Sequence, residues 1–127
     1  MVSGKNKILI IEDDQTLVKL ISSILDKSQY EVLMATESDE GLDKAKSEKP
    51  DLVVLDILLP GKSGFECLKK LKEMKETKAI PVIILSNLGQ TEEIRRGLAL
   101  GAVDYLVKAD FQIDEILEKI NNVLKIH

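Results

Sequence analysis

Apolar runs and amphipathic segments alternate five times along the chain. The apolar runs lie at residues 7–11, 30–35, 52–55, 81–85 and 103–107. Residues 52–55 and 82–85 contain only valine, isoleucine and leucine, without the alternation with polar residues that a half-exposed strand shows. Strands of this kind are buried on both faces, as in a parallel sheet. The pattern therefore predicts five parallel strands.

The segments between these runs carry apolar residues at helical spacing. The two clearest stripes are Leu17, Leu20, Ile21, Ile24 and Leu25, and Ile113, Ile116, Leu117, Ile120 and Leu124. Three further helices are predicted around Leu42, around Phe65 and Leu68, and around Ile94 and Leu98, the last ending at Gly101. Parallel neighbours need right-handed crossover connections, so the helices cover both faces of the sheet. The predicted fold class is a doubly wound α/β sandwich around a five-stranded parallel sheet.

Composition limits the size of the fold and the kinds of partner. The chain has 127 residues, 44% of them hydrophobic, which suits a single domain spanning 1–127 with no attached effector domain. A net charge of -4 disfavours direct binding to nucleic acid or to an anionic membrane surface. The one cysteine, Cys67, cannot form an internal disulfide and is expected to pack in the core, and the N-terminal apolar run is too short for a signal peptide or a membrane span. We therefore expect a cytoplasmic protein.

Polar side chains follow four of the five predicted strands. In a doubly wound sheet of order 2-1-3-4-5, strands one and three are neighbours, and ligands bind outside the carboxyl ends of the strands. The polar residues at these ends are Glu12, Asp13 and Asp14 after the first strand, Asp56 after the third, Ser86 after the fourth and Lys108 after the fifth. The acidic residues of strands one and three are therefore expected to share one pocket.

Such a pocket indicates a divalent metal and phosphoryl chemistry. Neighbouring carboxylates repel one another unless a cation or protons intervene. Mg²⁺ suits this set because it takes a few carboxylates and several waters, and no histidine or cysteine is close by for zinc. A phosphoryl group could then be accepted by a carboxylate, with Lys108 neutralising its oxygens and Ser86 donating a hydrogen bond. Asp56, at the centre of the sheet, is the candidate nucleophile.

The ordered set of motifs resembles that of response-regulator receiver domains, the chemotaxis-receiver-like domains of two-component signalling, over essentially the whole chain. The fold implied is flavodoxin-like. The acidic run at 12–14 resembles the metal-binding pair of the family, which we assign to Glu12 and Asp13 because Glu12 directly follows the apolar run. The resemblance implies that Asp56 is the phosphoacceptor and that the backbone carbonyl of Leu58 is a further metal ligand. Gly64 matches a glycine of the following loop.

The resemblance also implies a switch. Ser86 matches the switch hydroxyl of the family, Tyr105 the switch aromatic residue and Lys108 the lysine of the site. A histidine kinase or phosphotransfer protein would deliver the phosphoryl group to Asp56 with Mg²⁺ as cofactor, and the surface of helix four, strand five and helix five would then bind a downstream protein. Such a domain catalyses only its own phosphorylation and dephosphorylation. The oligomeric state stays open between a monomer and a weak dimer.

Other interpretations apply to the same residues. Asp13 or Asp14 could cap the first helix, and Asp56 could form an Asx turn. Arg95 and Arg96 on the fourth helix are expected to be a solvated pair. The chain could also be a pseudo-receiver, an interaction module that keeps the fold without phosphotransfer. A flavodoxin-type cofactor carrier is disfavoured, since three acids after strand one would repel its phosphate.

The chain departs from the family pattern near the site. Ala109 follows Lys108 where the family usually has a proline after a cis bond, so that either the bond is trans and the loop rearranged, or strain is tolerated. Asn87 stands where a small residue usually follows the switch hydroxyl, and it is expected to narrow access to Asp56. Leu58 and Leu88 offer no polar group to orient an attacking water, which predicts slow self-dephosphorylation.

Overall fold

A computed structural model describes residues 4–124. Its elements are β1 (Asn6–Ile11), α1 (Gln15–Ile24), β2 (Tyr30–Ala35), α2 (Ser38–Glu48), β3 (Leu52–Leu55), α3 (Gly64–Glu73), β4 (Val82–Ser86), α4 (Thr91–Ala99), β5 (Asp104–Val107) and α5 (Ile113–Leu124), with a 3-10 turn at Lys108–Asp110. All neighbouring strands are parallel, in the order β2-β1-β3-β4-β5. The predicted fold class and strand order are confirmed. No helix in this range is long and apolar enough to cross a membrane.

The bounds of β4 differ by one residue at each end from the sequence prediction. Pro81 lies outside the strand, and its carbonyl accepts a hydrogen bond from the Val53 N–H at 3.0 Å. Proline has no N–H with which to continue a ladder. At the other end Ser86 pairs with Val107 of β5, so the strand includes its polar last residue. Ser86 is therefore held by the sheet itself.

Two apolar cores lie on opposite faces of the sheet. All four residues of β3 are buried. Val53 and Leu55 pack with α2 and α3, whereas Leu52 and Val54 pack with α1 and α5. Burying such a side chain contributes roughly 1.5–3 kcal/mol, so both faces of this strand stabilise the fold. Cys67 is fully buried in the first core, as expected from the sequence.

Local interactions determine where helices α1 and α4 begin and end. Asp14 caps α1, because its Oδ1 accepts hydrogen bonds from the backbone N–H groups of Thr16 at 3.1 Å and Leu17 at 3.3 Å. The capping interpretation is therefore right for Asp14 and wrong for Asp13. Helix α4 ends at Ala99 with Leu100 as its C-cap, and the predicted terminating residue, Gly101, follows with φ +112° and reverses the chain.

Candidate functional site

The carboxyl ends of β1 and β3 bring three acidic residues together. Glu12 and Asp56 are buried, while Asp13 is exposed at the mouth of the cluster. One carboxylate oxygen from each of these residues lies within 4.8 Å of the others. Parallel neighbours with registered ends produce this proximity, since Ile11 of β1 pairs with Leu55 of β3. The predicted shared pocket is present.

Lys108 reaches the same cluster from the far side of β4. Its Nζ lies 2.8 Å from Glu12 Oε1 and 3.0 Å from Asp56 Oδ2. Burial by itself would lower the pKa of Lys108, but the hydrogen bonds to Glu12 and Asp56 outweigh it and leave that pKa above its ordinary value. Lys108 is therefore a stable ammonium between two carboxylates.

One ammonium does not offset the charge of the cluster. Burial raises the pKa of Glu12 to about 7, and the charge of Asp56 adds to the rise. Hydrogen bonds from Lys108 and from the N–H of Asp14 act in the opposite direction without cancelling it. A buried carboxylate that is this costly to ionise is neutralised either by a proton or by a further cation. The oxygen-only donor set of Glu12, Asp13 and Asp56 fits Mg²⁺.

The carboxylate of Asp56 is held at both oxygens. Asp56 Oδ1 accepts a hydrogen bond from the Leu58 N–H at 3.1 Å, and Oδ2 accepts one from Lys108 at 3.0 Å. The first of these closes an Asx turn, which the sequence offers as an alternative interpretation of Asp56. The turn and a chemical role are compatible, because the turn uses one oxygen and fixes the plane of the group. The role of the Leu58 carbonyl as a metal ligand stays a prediction.

Gly64, at the start of α3, packs against the backbone of the Asp56 loop. The Gly64 N–H donates to the carbonyl of Ile57 at 2.9 Å. A β carbon at position 64 would lie 2.2 Å from the backbone oxygen of Asp56 and 2.6 Å from Ile57 Cα. Both are backbone atoms that cannot swing away, so only glycine fits here. The contact fixes α3 against the loop that carries Asp56.

Ser86 and Tyr105 meet through the backbone of Leu88. Ser86 is fully buried, and its Oγ accepts a hydrogen bond from the Leu88 N–H at 3.4 Å. Tyr105 Oη donates to the Leu88 carbonyl at 2.6 Å, and its ring is turned inward. Leu88 thus links the two predicted switch residues. Sequence reasoning missed this link because backbone groups carry no residue-specific signal.

The Lys108–Ala109 peptide is trans, since residues 4–124 contain no cis peptide bond. Lys108 still contacts Glu12 and Asp56, and a 3-10 turn begins at this residue. The trans bond of the first alternative is therefore correct, and the alternative of a strained cis bond is dropped. Lys108 therefore reaches the site without the proline that the family usually has at position 109.

Arg95 and Arg96 are both exposed, as the sequence interpretation expects, and Arg96 also contacts an aromatic ring. Its guanidinium carbon lies 4.3 Å from the centre of the Phe65 ring, an arrangement in which cation and ring attract each other. Phe65 directly follows Gly64 and is buried. The pair therefore joins α4 to the start of α3. Its signal in the sequence is weak, because residues 31 positions apart show no periodic relation.

Comparison with known proteins agrees with this geometry. The profile of the family described as "Response regulator receiver domain" matches residues 8–121. Protein PilH of Pseudomonas aeruginosa is 39% identical over 120 residues, which cover 93% of this chain and 97% of that protein. The alkaline phosphatase synthesis transcriptional regulatory protein PhoP of Bacillus subtilis is 36% identical over 119 residues, 94% of this chain. The chain spans about half of the length of PhoP, with 48% covered.

Solved structures resemble the whole of the described fold. A putative response regulator from Chloroflexus aurantiacus superposes with a TM-score of 0.86 at 30% identity, covering 95% of this chain and 98% of that one. A CheY-like response regulator receiver domain protein from Methanospirillum hungatei gives the same TM-score and identity, with 95% and 94% covered. Sequence and structure comparisons therefore converge on one group of proteins.

Proposed function

Because the chain belongs to the response regulator receiver domain family, we propose that it accepts a phosphoryl group on Asp56 from a phosphohistidine of a kinase or phosphotransfer protein. The observation that carries the proposal is the carboxylate of Asp56, buried yet held in one plane by Leu58 and Lys108. Receiver domains are signalling domains rather than classical enzymes. This one would catalyse only its own modification.

The reaction is a transfer between two nucleophiles. An Asp56 oxygen attacks the phosphorus, the new O–P bond forms as the P–N bond breaks, and the imidazole nitrogen keeps the electron pair of that bond. Lys108 is close enough to both carboxylates to neutralise charge on the transferred oxygens. Ser86 would donate its hydroxyl hydrogen to one of them. Orientation and charge neutralisation supply most of the catalysis in phosphoryl transfer.

Glu12, Asp13 and Asp56 would hold Mg²⁺, with the Leu58 carbonyl as a further ligand. When bound, the metal supplies positive charge opposite the phosphoryl oxygens. Asp13 is exposed at the cluster, which suits a ligand on the side from which a phosphodonor approaches. The raised pKa of Glu12 supports this assignment, since a carboxyl that is costly to ionise alone gains most from a cation.

The proposed output is a change in the surface of α4, β5 and α5. Capture of the phosphoryl group by the Ser86 hydroxyl would change the position of the loop that carries Leu88. Tyr105 donates to the Leu88 carbonyl, so a displacement of that loop is transmitted to β5. The population of two surface shapes would then shift, and a downstream protein would bind one of them.

Intact mass after incubation with Mg²⁺ and phosphoramidate or acetyl phosphate tests the proposal. We expect a gain of one phosphoryl group in the wild type and none in Asp56→Asn or after metal removal. Ser23→Ala, on the exposed surface of α1, is a control for the general effect of substitution. Absence of transfer together with absence of Mg²⁺ binding would make the chain a pseudo-receiver, and transfer to a residue other than Asp56 would also contradict the proposal.

A further inference from the structure

The sheet has an open edge at β2 that is independent of the phosphoacceptor site. The carbonyls of Gln29 and Ala35 accept hydrogen bonds from the N–H groups of Asn6, in β1, and Glu12, directly after it, at 2.8 and 2.9 Å. Successive residues of a strand direct their backbone groups to opposite sides. Tyr30, Val32 and Met34 therefore direct theirs away from the sheet. Two of these outward groups are already occupied, because the Tyr30 N–H donates to the Asp26 carbonyl at 2.9 Å and the Met34 carbonyl accepts from Lys44. The open part of the edge is therefore its middle, at Val32.

A groove runs beside this edge, between β2 and the second half of α1. It consists of two adjoining depressions of about 340 and 330 Å³, and Ser22, Lys27 and Met34 line both. We call it the β2-edge groove. The Met34 side chain is 45% exposed, although most large apolar residues between positions 4 and 124 are at least partly buried. The groove therefore combines a free strand edge with an apolar contact and polar walls.

The charge of the β2-edge groove is opposite to that of the protein. Lys5, Lys19 and Lys27 line it with a single acid, Glu31, in a chain of net charge -4. Within residues 4–124, neither Lys19 nor Lys27 forms an ion pair. Both lysines are exposed, and both line the depression that contains Met34. A positive groove on an acidic protein selects an anionic partner.

We propose that the β2-edge groove binds an extended acidic segment of a partner protein, which adds to the sheet as a strand beside β2. Backbone groups of Val32 would pair with the segment. Its acidic side chains, which alternate along one face of the added strand, would contact Lys19 and Lys27, and their methylene groups would cover Met34. Strand addition uses main-chain hydrogen bonds for affinity and side-chain contacts for specificity. An anionic lipid surface would use the lysines but not the strand edge.

Three eight-residue peptides test this inference on the full chain by NMR titration of backbone amides at low salt. The first is acetyl-(Glu-Val)₄-amide, the second its N-methylated form, which cannot pair as a strand, and the third a lysine-valine analogue. We expect saturable shifts at Val32 and Met34 with the first peptide only, with a Kd below about 1 mM. Phosphorylation is not required for this result, so the proposed function and this inference can fail separately.

Charge reversal provides the matched comparison. Lys19→Glu with Lys27→Glu should weaken binding of the acidic peptide at least about tenfold, because both attractive charges become repulsive. Lys69→Glu with Lys75→Glu changes the net charge equally at exposed positions outside the groove and should leave the affinity unchanged. The inference would be overturned if the two double substitutions had equal effects on peptide affinity. It would also be overturned if 2 mM peptide, roughly twice the expected upper limit of the Kd, gave no shift at β2. The lysines would then serve only to discourage edge pairing. Binding to phosphatidylserine vesicles without peptide binding would assign the groove to a lipid surface instead.

Discussion

The ring of Tyr105 lies directly against the backbone of Gly97 in α4. A β carbon at position 97 would lie 2.8 Å from Cδ2 of that ring and 2.5 Å from Ile84 Cδ1. Gly97 is buried, and its lack of a side chain leaves the space that the inward ring occupies. The inward position also places Tyr105 Oη against the Leu88 carbonyl. The position of the predicted switch residue thus depends on a glycine that the sequence pattern does not single out.

Gly97→Ala should turn the Tyr105 ring outward. The Ile84 methyl can rotate away, but the aromatic ring must move as a whole. Burial raises the pKa of Tyr105, with the charges of Glu93 and Asp56 adding to it. We therefore expect the pKa of this phenol to fall towards its ordinary value in the variant, measured from the ¹³Cζ shift as the pH is raised.

Tyr30 is the internal reference for that titration. Burial also raises the pKa of Tyr30, which lies on the other face of the sheet and donates its hydroxyl to Asn121. Leu98→Ala changes an exposed neighbour of Gly97 in the same helix and should leave both tyrosines unchanged. An unchanged Tyr105 titration in Gly97→Ala would show that α4 moves instead of the ring.

Gly64→Ala should misplace Asp56. The added β carbon meets backbone atoms at 2.2 and 2.6 Å, so α3 and the loop must separate. We expect a loss of about 1–3 kcal/mol in the free energy of unfolding, as for other overpacked sites. The rate of phosphorylation by phosphoramidate should fall roughly 100-fold, since small misplacements of a reacting group are costly. Urea unfolding and time-resolved intact mass measure the two effects.

Ser63→Ala is the matched control, at the residue before Gly64. Ser63 caps α3 by accepting a hydrogen bond from the Phe65 N–H at 3.1 Å. Loss of such a cap costs about 1 kcal/mol but adds no atom near Asp56. Its phosphorylation rate should therefore stay within about twofold of the wild type. Equal rates for Gly64→Ala and Ser63→Ala would argue against a positioning role for Gly64.

The sequence predicts the parts of this protein that depend on side-chain pattern. Continuous apolar runs such as 52–55 predict buried parallel strands, and the strand order brings Glu12, Asp56 and Lys108 to one edge. The side-chain pattern does not predict contacts made by backbone atoms, nor the spaces that glycines leave for neighbouring side chains. The Leu88 carbonyl that accepts from Tyr105 and the space at Gly97 belong to this second kind. Their positions depend on tertiary packing and become visible only in three dimensions.

Lys108→Met should separate metal binding from phosphoryl transfer. The substitution keeps the apolar part of the side chain and removes the ammonium between Glu12 and Asp56. Mg²⁺ affinity should rise about threefold to tenfold, because the cluster becomes more negative and a competing cation is lost. The phosphorylation rate should fall about 100-fold, since no fixed cation then faces the transferred oxygens. Calorimetric titration and intact mass measure the two quantities.

Lys44→Met removes a half-exposed lysine that pairs with Glu40, and it controls for a change of net charge. It should change the Mg²⁺ affinity and the phosphorylation rate by no more than about twofold each, because charges in contact with solvent are screened by water and salt. A fall in Mg²⁺ affinity in Lys108→Met would indicate that Lys108 orders the carboxylates, and would contradict the expectation that it competes with the metal.

The acyl phosphate on Asp56 should be long-lived. The Leu58 side chain is 51% exposed beside Asp56, and Leu88 packs partly against the core. Neither can hydrogen-bond a water molecule, so general base assistance to hydrolysis is absent. Leu58→Asn with Leu88→Glu should shorten the phosphoryl half-life at least about tenfold, followed by the decay of the phosphorylated mass. Leu58→Ala with Leu88→Ala removes bulk without adding a polar group. If the alanine pair shortened the half-life equally, access of water would control hydrolysis and its orientation would not.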